Sequence, residues 1–361
     1  DGYRVFTTVP ADLQNHARQA TNHGLIQYDQ RHGYRKPEQT ALDKNQWTKI
    51  LANTPAISEF LPAIVTAVNP DNIMVMLNNG EHEAIAWQSM RWARPFISTR
   101  SMGPAPRKPA DVVQVGDLIR VTRNADDTLS FSQIPQVQAA LVSIDPNDGA
   151  IRALTGGLSF AQSNYNRAIQ AKRQPGSSFK PFIYSAALDA GFTAASIVDD
   201  APLEVFEPGM KEVWRPKNDN NTFLGPMPVR EGLYRSRNLV SIRILQDIGM
   251  QYARDYISQF GFAPSDLPPN LSLALGTATL TPLEITAGWS VFANGGYKVE
   301  PYLIERIDNR DGETIFQANP ARVPSKPAQS LDTLSEQLIT DSDSEPPQHA
   351  ERVIDERTAY I

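Results

Sequence analysis

Hydrophobic and polar positions along this chain change period several times, and each change predicts an element. Residues 3–9 alternate as a strand does, and from near Pro10 the residues Leu13, Ala17 and Ala20 recur at helical spacing. Residues 36–54 are polar and irregular apart from a short helix predicted around 45–51. From 57 to 134 the pattern becomes a series of short apolar runs cut by turn sequences. Runs 63–68 and 73–77 flank Asn69-Pro70-Asp71-Asn72, and Asn78-Asn79-Gly80 precedes 83–87. Runs 117–121 and 129–133 flank Asn124-Ala125-Asp126-Asp127. Five or so short strands of this kind predict an OB-like barrel. Residues 139–145 and 150–154, around Pro146-Asn147-Asp148-Gly149, read as a hairpin. Residues 179–188 are apolar all round, which predicts a buried helix, with Gly191 as its C-cap. Residues 324–350, rich in Pro, Ser, Asp, Gln and Glu, are predicted to be a mobile or disordered loop.

A length of 361 residues allows two or three domains. The net charge of −6 argues against a general nucleic-acid or anionic-membrane binder, which would usually be basic. Arg91, Trp92 and Arg94 are the one candidate nucleic-acid stripe on the barrel; plain structure or a partner-protein surface fits the acidic chain better. There are no cysteines, so there is no disulfide framework, and the five histidines show no metal-ligand spacing with acidic partners. No cofactor is implied. No apolar run is long enough to span a membrane, and no signal-peptide pattern opens the chain. Asp199-Asp200 and Asp308 with Asp311 could suggest carboxylate pairs, but nothing sets them beside a sugar-shaped groove, so solvated loops are expected.

The chemistry concentrates in Arg173-Gln174-Pro175-Gly176-Ser177-Ser178-Phe179-Lys180. Ser177 follows a Pro-Gly break and stands three residues before Lys180, a step that puts two helical side chains on one face. A serine becomes a nucleophile when a neighbouring base takes its proton, and a lysine can be that base if burial or nearby positive charge lowers its pKa. Ser-x-x-Lys alone is weak, since a chain of this length holds about one by chance; a helix N-cap and a surface lysine are the plain readings. Ser236-Arg237-Asn238 follows downstream, itself an ordinary helix start in isolation. Ser-x-x-Lys, a Ser-x-Asn element and Lys-Thr-Gly together form the motif set of penicillin-binding proteins and class A β-lactamases.

On these motifs, and on Asn166-Arg167-Ala168, Tyr234-Arg235, Leu275-Gly276, Thr281-Pro282-Leu283-Glu284 and Phe292-Ala293-Asn294-Gly295-Gly296, the chain resembles the C-terminal part of class A (bifunctional) penicillin-binding proteins. The resemblance implies an α/β (α+β) fold. Its main part would be a penicilloyl-serine transferase domain, β-lactamase-like, with an antiparallel sheet covered by helices. A small all-β OB-like barrel would accompany it. It implies domains at 1–54 (a linker strand and helix packing on the transpeptidase), 55–135 (the barrel) and 136–361 (the transpeptidase). Lys-Thr-Gly and Lys-Ser-Gly are absent from the sequence, and the end at Ile361 reads as a helix opening, so a piece of a longer chain is expected.

The implied function is a peptidoglycan D,D-transpeptidase that cross-links stem peptides through a Ser177 acyl-enzyme and is inhibited covalently by β-lactams. Lys180 would be the base, Ser236 a proton relay and Asn238 the holder of the Lys180 end of the network, with Arg237 between them turned to solvent. The Ser177 N–H would serve the oxyanion hole. Trp214, Asn218, Thr277 and Thr279 would line the substrate cleft. The expected partners are peptidoglycan stem peptides, β-lactam antibiotics and an activator protein at the OB-like module; no nucleic acid is expected, and the membrane is reached only through an N-terminal anchor that this chain lacks. The family also implies a glycosyltransferase in the whole protein and a place on the periplasmic side of the bacterial inner membrane. A D,D-carboxypeptidase or β-lactamase-like hydrolase, and a non-catalytic penicillin-binding sensor or scaffold, stay open as alternatives.

Overall fold

The computed structural model describes residues 2–206, 213–324 and 348–361. Strand β1 (Arg4–Thr7) and helices α1 (Ala11–His32) and α2 (Trp47–Asn53) come first. Strands β2 (Leu61–Val68), β3 (Asn72–Leu77), β4 (His82–Ala86), β5 (Phe96–Ser98), β6 (Ser101–Met102), β7 (Leu118–Arg123) and β8 (Leu129–Ser132) follow. After β9 (Leu141–Ile144) and β10 (Ile151–Thr155) come α3 (Arg167–Gln170), α4 (Lys180–Asp189), β11 (Ile197–Asp200) and β12 (Gly225–Pro228). The described chain ends with α5 (Val229–Tyr234), α6 (Asn238–Ile248), α7 (Met250–Ser258), α8 (Pro282–Ala293), β13 (Tyr297–Lys298), β14 (Ile304–Asp308), β15 (Thr314–Gln317), β16 (Glu351–Arg352) and α9 (Glu356–Tyr360). The loop expected over 324–350 falls, from 325 to 347, outside the described residues. Two compact units emerge: Asp1–Gln14 with Leu141–Leu154 and Arg167–Ile361, and Asn15–Ala140 with Thr155–Asn166.

The second unit is built on an antiparallel sheet in the order β4-β3-β2-β7-β8. The alternation read from the sequence sets its faces: Ile73, Val75 and Leu77 of β3 point inward while Asn72, Met74 and Met76 are half-exposed. These side chains close a core with Tyr34, Ile85, Met90, Ile119, Val121 and Phe131. Two expectations change here. The core begins well before residue 55. Tyr34 lies inside it, Gln39 bridges Leu118, and Glu38 pairs with the buried Arg120 at 2.7 Å. Trp47 and Leu51 of α2 pack on Ile64 and Leu118. From Asn15 onward α1 also belongs to this unit, where Leu25 packs with Phe60 and Leu158. The candidate nucleic-acid stripe dissolves as well. Trp92 packs between Tyr34 and Phe131, and Arg94 donates to the Gly103 carbonyl at 2.8 Å, which leaves Arg91 alone exposed.

In the first unit α4 is the central element. Its sequence Lys-Pro-Phe-Ile-Tyr-Ser-Ala-Ala-Leu-Asp has no polar face, and from Phe182 to Ala187 every side chain is buried. Phe182 sits in a cluster of rings from Phe179, Phe260, Phe262, Trp289 and Phe292. Helices α5, α6 and α7 pack around it. Among the described residues the sheets of this unit are small: β1-β14-β15, and the pairs β9/β10, β11/β12 and β13/β16. Helix α8 starts on a capping box, Thr281 with Glu284, followed by Pro282 at its first turn.

Candidate active site

The sequence around Ser177 makes a 3₁₀ turn, Gly176–Phe179, that runs directly into α4. Gly176 has φ +60°, the left-handed region that glycine enters without steric cost. The Lys180 N–H donates to the Ser177 carbonyl, so the two residues stand one turn apart. In a 3₁₀ turn positions three apart eclipse, which sets both side chains on one edge. Phe179 and Phe182 anchor the turn from below, and the Trp289 indole donates to the Ser178 carbonyl at 3.2 Å. From the side, the segment 173–176 pairs with 276–280. Arg173 and Leu280 exchange backbone hydrogen bonds, and the Gly176 N–H donates to the Gly276 carbonyl at 3.1 Å. The approach is so close that a Cβ on Gly276 would lie 1.9 Å from the Gly176 oxygen. Ser177 is exposed, and no hydrogen-bond partner of its hydroxyl lies among the described residues.

Lys180 is 1% exposed. Its amine donates to the Ser236 carbonyl at 2.7 Å, the Ser236 hydroxyl at 3.0 Å and the Asn238 Oδ1 at 2.8 Å. Three acceptors match the three N–H bonds of an ammonium. Burial nevertheless disfavours the charge, and Arg237 adds like-charge repulsion, so the amine is drawn down from 10.5 to about 8. The acceptors come from the corner between α5 and α6. Ser236 takes φ +53° there, an uncommon conformation for a residue with a side chain, and this turns its carbonyl and hydroxyl toward one amine. Asn238 opens α6 and fixes its own amide by donating from Nδ2 to the Lys217 carbonyl at 3.0 Å. The side chains of Lys180, Ser236 and Asn238 are thus brought together by direct bonds, while Ser177, one turn from Lys180, is joined to it through the backbone and not from hydroxyl to amine.

Arg237 does not face solvent as expected. It is 5% exposed, and its guanidinium meets the Asp200 carboxylate at 2.6 Å. Asp200 is fully buried rather than part of a solvated loop. It also accepts from the Asn218 amide at 2.7 Å and from the Leu224 N–H at 3.0 Å. The reason is strand parity. In β11 Val198 and Asp200 face inward while Ile197 and Asp199 face out. A signal existed in that alternation, but a second acidic residue beside the first masked it. Asp308 is likewise buried, held by Arg306 at 3.1 Å and by the Thr314 hydroxyl.

Asn218, expected to meet substrate, is 3% exposed and fully engaged. Its Nδ2 serves Asp200 and the Thr222 carbonyl, and its Oδ1 accepts from the Asn238 N–H at 2.8 Å. Trp214 is half-buried against the main core, and its backbone pairs with Val205. Thr277 bonds its hydroxyl to Ser272 at 2.8 Å, and Thr279 is exposed. Among the described residues no group of three or more His, Cys, Asp or Glu is placed to hold a metal ion. Among them, too, no helix is long and apolar enough to cross a membrane.

Comparison with known proteins adds two domain matches. Residues 32–137 match the penicillin-binding protein OB-like domain, and residues 139–359 match the penicillin binding protein transpeptidase domain. Penicillin-binding protein 1A of Pseudomonas aeruginosa is 57% identical over 100% of this chain and 47% of its own length. Penicillin-binding protein 1A of Escherichia coli is 42% identical over 89% of this chain and 38% of its own length. The crystal structure of penicillin-binding protein 1A from Haemophilus influenzae superposes with a TM-score of 0.83 at 35% identity, over 99% of this chain and 53% of that one. The chain therefore spans about half the length, or less, of the relatives it matches.

Proposed function

The chain belongs to the penicillin-binding protein transpeptidases, and from that membership we propose that it is the acyl-transferring part of a peptidoglycan D,D-transpeptidase. Ser177 is the nucleophile and Lys180 its base. The observation that carries this reading is the condition of the Lys180 amine: dry, ringed by Ser236 and Asn238, and titrating near 8. An ordinary lysine would hold its proton at neutral pH and could accept none. Here a usable fraction is neutral and offers a lone pair. When the amine is neutral it has two N–H bonds, so one of its three acceptors is released and the lone pair is left for the Ser177 proton. The Ser236 hydroxyl, whose carbonyl neighbour keeps its own bond, is the contact able to let go.

In the reaction the Ser177 oxygen bonds to the carbonyl carbon of the penultimate D-Ala of a stem peptide. Its proton passes to Lys180. The C–N bond then breaks, and the terminal D-Ala leaves with a proton returned through Ser236. A second stem-peptide amine attacks the ester, gives a proton back to the same amine, forms the cross-link and restores Ser177. Asn238 holds the Lys180 end of this relay. The Ser177 N–H is one oxyanion donor. A β-lactam carbonyl is attacked in the same way, but its leaving group stays tethered and the ester persists.

Trp214, Thr277 and Thr279 are proposed as contacts at the cleft margin. The close approach of Gly276 to Gly176 supports this for the threonines, because it sets their segment beside the Ser177 turn. For Trp214 the support is its position just before Lys217, whose carbonyl anchors Asn238. Asn218 is a positioning residue instead. For the whole protein we propose a companion glycosyltransferase, an anchor in the bacterial inner membrane with this part on its periplasmic side, and an activator protein at the OB-like unit. The test is labelling with a fluorescent penicillin. A stable, Ser177-dependent label that Ser177→Ala abolishes is expected. A label that Ser177→Ala retains would overturn the reading; one that turns over within minutes would make the protein a hydrolase.

A further inference from the structure

The segment between the two catalytic motif residues Ser236 and Asn238 is not a spacer. Arg237 points away from the cleft into a closed polar network. Its Nε donates to Asp200 Oδ2 at 2.8 Å, and its guanidinium also reaches the Thr222 carbonyl and Asn220. Asp200 in turn holds Asn218, and Asn218 accepts the N–H of Asn238, the first residue of α6. The chain of bonds therefore runs from a buried ion pair to the backbone that carries all three acceptors of Lys180. The charge follows the same route: the Arg237 guanidinium repels the amine, and Asp200 pairs with that guanidinium.

We propose that Arg237, held by Asp200 and squared by Asn218, is a positioning residue for Lys180: it fixes the start of α6 and sets a partly compensated positive charge behind the amine. The inference rests on Lys180 being the base of the acyl transfer. Of the other charged groups on the elements packed around Lys180, Arg230 of α5 and Asp247 of α6 are exposed, Glu356 and Arg357 of α9 pair with Arg352 and Asp355, and the rest bond elsewhere. On α5, Glu231 pairs with Arg235 at 2.7 Å, and on α6 Arg243 donates to the carbonyls of Asp199, Ala201 and Pro202. On α7, Arg254 donates to the carbonyls of Leu267 and Pro264, and Asp255 accepts from Gln251. On α4 itself Asp189 accepts from Tyr252 at the far end, while Tyr184, pushed up to about 12 mainly by burial, is neutral. Beside burial, the repulsion of Arg237 lowers the amine, and the paired Asp200 carboxylate offsets part of that charge.

Two substitutions of opposite sign test this. Arg237→Gln removes the like charge, so the Lys180 titration should move up by roughly half a unit or more. Asp200→Asn removes the compensating charge and should move it down. Asp200→Asn also sets an amide NH₂ against a donor, the Asn218 amide or the Leu224 N–H, so its acylation should be slower at every pH. Arg237→Lys keeps the charge, and its midpoint should stay within about 0.3 units of the parent. The measurement is the ¹³Cε shift of Lys180 against pH, alongside the pH profile of acylation by a fluorescent penicillin. Shifts of opposite sign for Arg237→Gln and Asp200→Asn are expected; no shift, or shifts of the same sign, would overturn the proposal. Should either variant fail to melt cooperatively, the parent and Arg237→Lys decide. A parent midpoint at the ordinary lysine value, or an Arg237→Lys midpoint that has left the parent's, overturns the proposal as well. If the amine midpoints move as expected but the acylation limb does not follow, Lys180 is not the base, and the function reading fails while this inference stands.

Discussion

At the scale of single residues, Lys180 carries a linked prediction about rate and stability. Only the neutral amine can take the Ser177 proton, so acylation should rise about tenfold per pH unit below the midpoint and level off above about 8. A flat profile between pH 6 and 9 would remove Lys180 from the mechanism. Stability follows the same titration. The unfolded chain holds this proton up to about 10.5 and the folded chain releases it near 8, so between those values the unfolded state binds more protons. Stability from this group therefore rises with pH across that window, by about 3 kcal/mol in all. Lys180→Met removes the charge penalty but leaves Ser236 and Asn238 acceptors without a donor, a cost of about 1–3 kcal/mol. The variant should melt within a few degrees of the parent at pH 7 and clearly below it at pH 10, with no penicillin label at either pH. Thermal melts at the two pH values check this; a variant equally far from its parent at both would refute the linkage. The Ser177 and Lys180 pair was legible because its spacing is local. Arg237 and Asp200 were not, since charged residues are usually exposed and nothing in one strand shows its distant partner.

At the scale of elements, the turn before α4 depends on a backbone contact that allows no side chain. Gly276 has φ +77°, and an added Cβ would meet the Gly176 carbonyl, carbon and Cα together. Backbone on both sides of the contact cannot rotate out of the way. Gly276→Ala should cost about 3 kcal/mol or more and displace Ser177, so that labelling falls with stability. Gly191→Ala also sits at positive φ, but no atom lies within 4 Å of its added Cβ, so it should cost only about 1 kcal/mol and leave labelling intact. Denaturant midpoints and labelling of the two variants separate close approach from simple strain; equal losses would show that the contact with Gly176 does not matter. Elements with a strong period were legible in the same way: the β2–β3 hairpin, the buried run of α4, and the helix near residue 47. The 3₁₀ form of the Ser177 turn was not, because α and 3₁₀ starts share their capping residues, and tertiary contacts to the 276–280 segment choose between them.

At the scale of the whole molecule, each unit has its own core, and the position of Tyr34 decides where the OB-like unit begins. A boundary at residue 55 follows the strand pattern but cuts through the packing. It discards Tyr34 from the barrel core and Trp47 and Leu51 from its outer face, and it strips Glu38 from the buried Arg120. Deleting buried aromatic or leucine side chains costs about 2–5 kcal/mol each, and leaving the buried Arg120 without Glu38, which is itself partly exposed, about 1–3 kcal/mol more. Their sum, about 7–18 kcal/mol, is as large as the roughly 5–15 kcal/mol that holds a domain together. A fragment spanning 55–135 should therefore be unfolded. One spanning 32–137 retains all of these groups and should fold, though less firmly than in the parent, because Phe60 loses its neighbours Leu25 and Leu158. Amide NMR dispersion and thermal melts of the two fragments decide the matter. A cooperative transition in the shorter fragment would mean that the strands alone carry the unit, and that the segment from Tyr34 to Leu51 merely lies upon it.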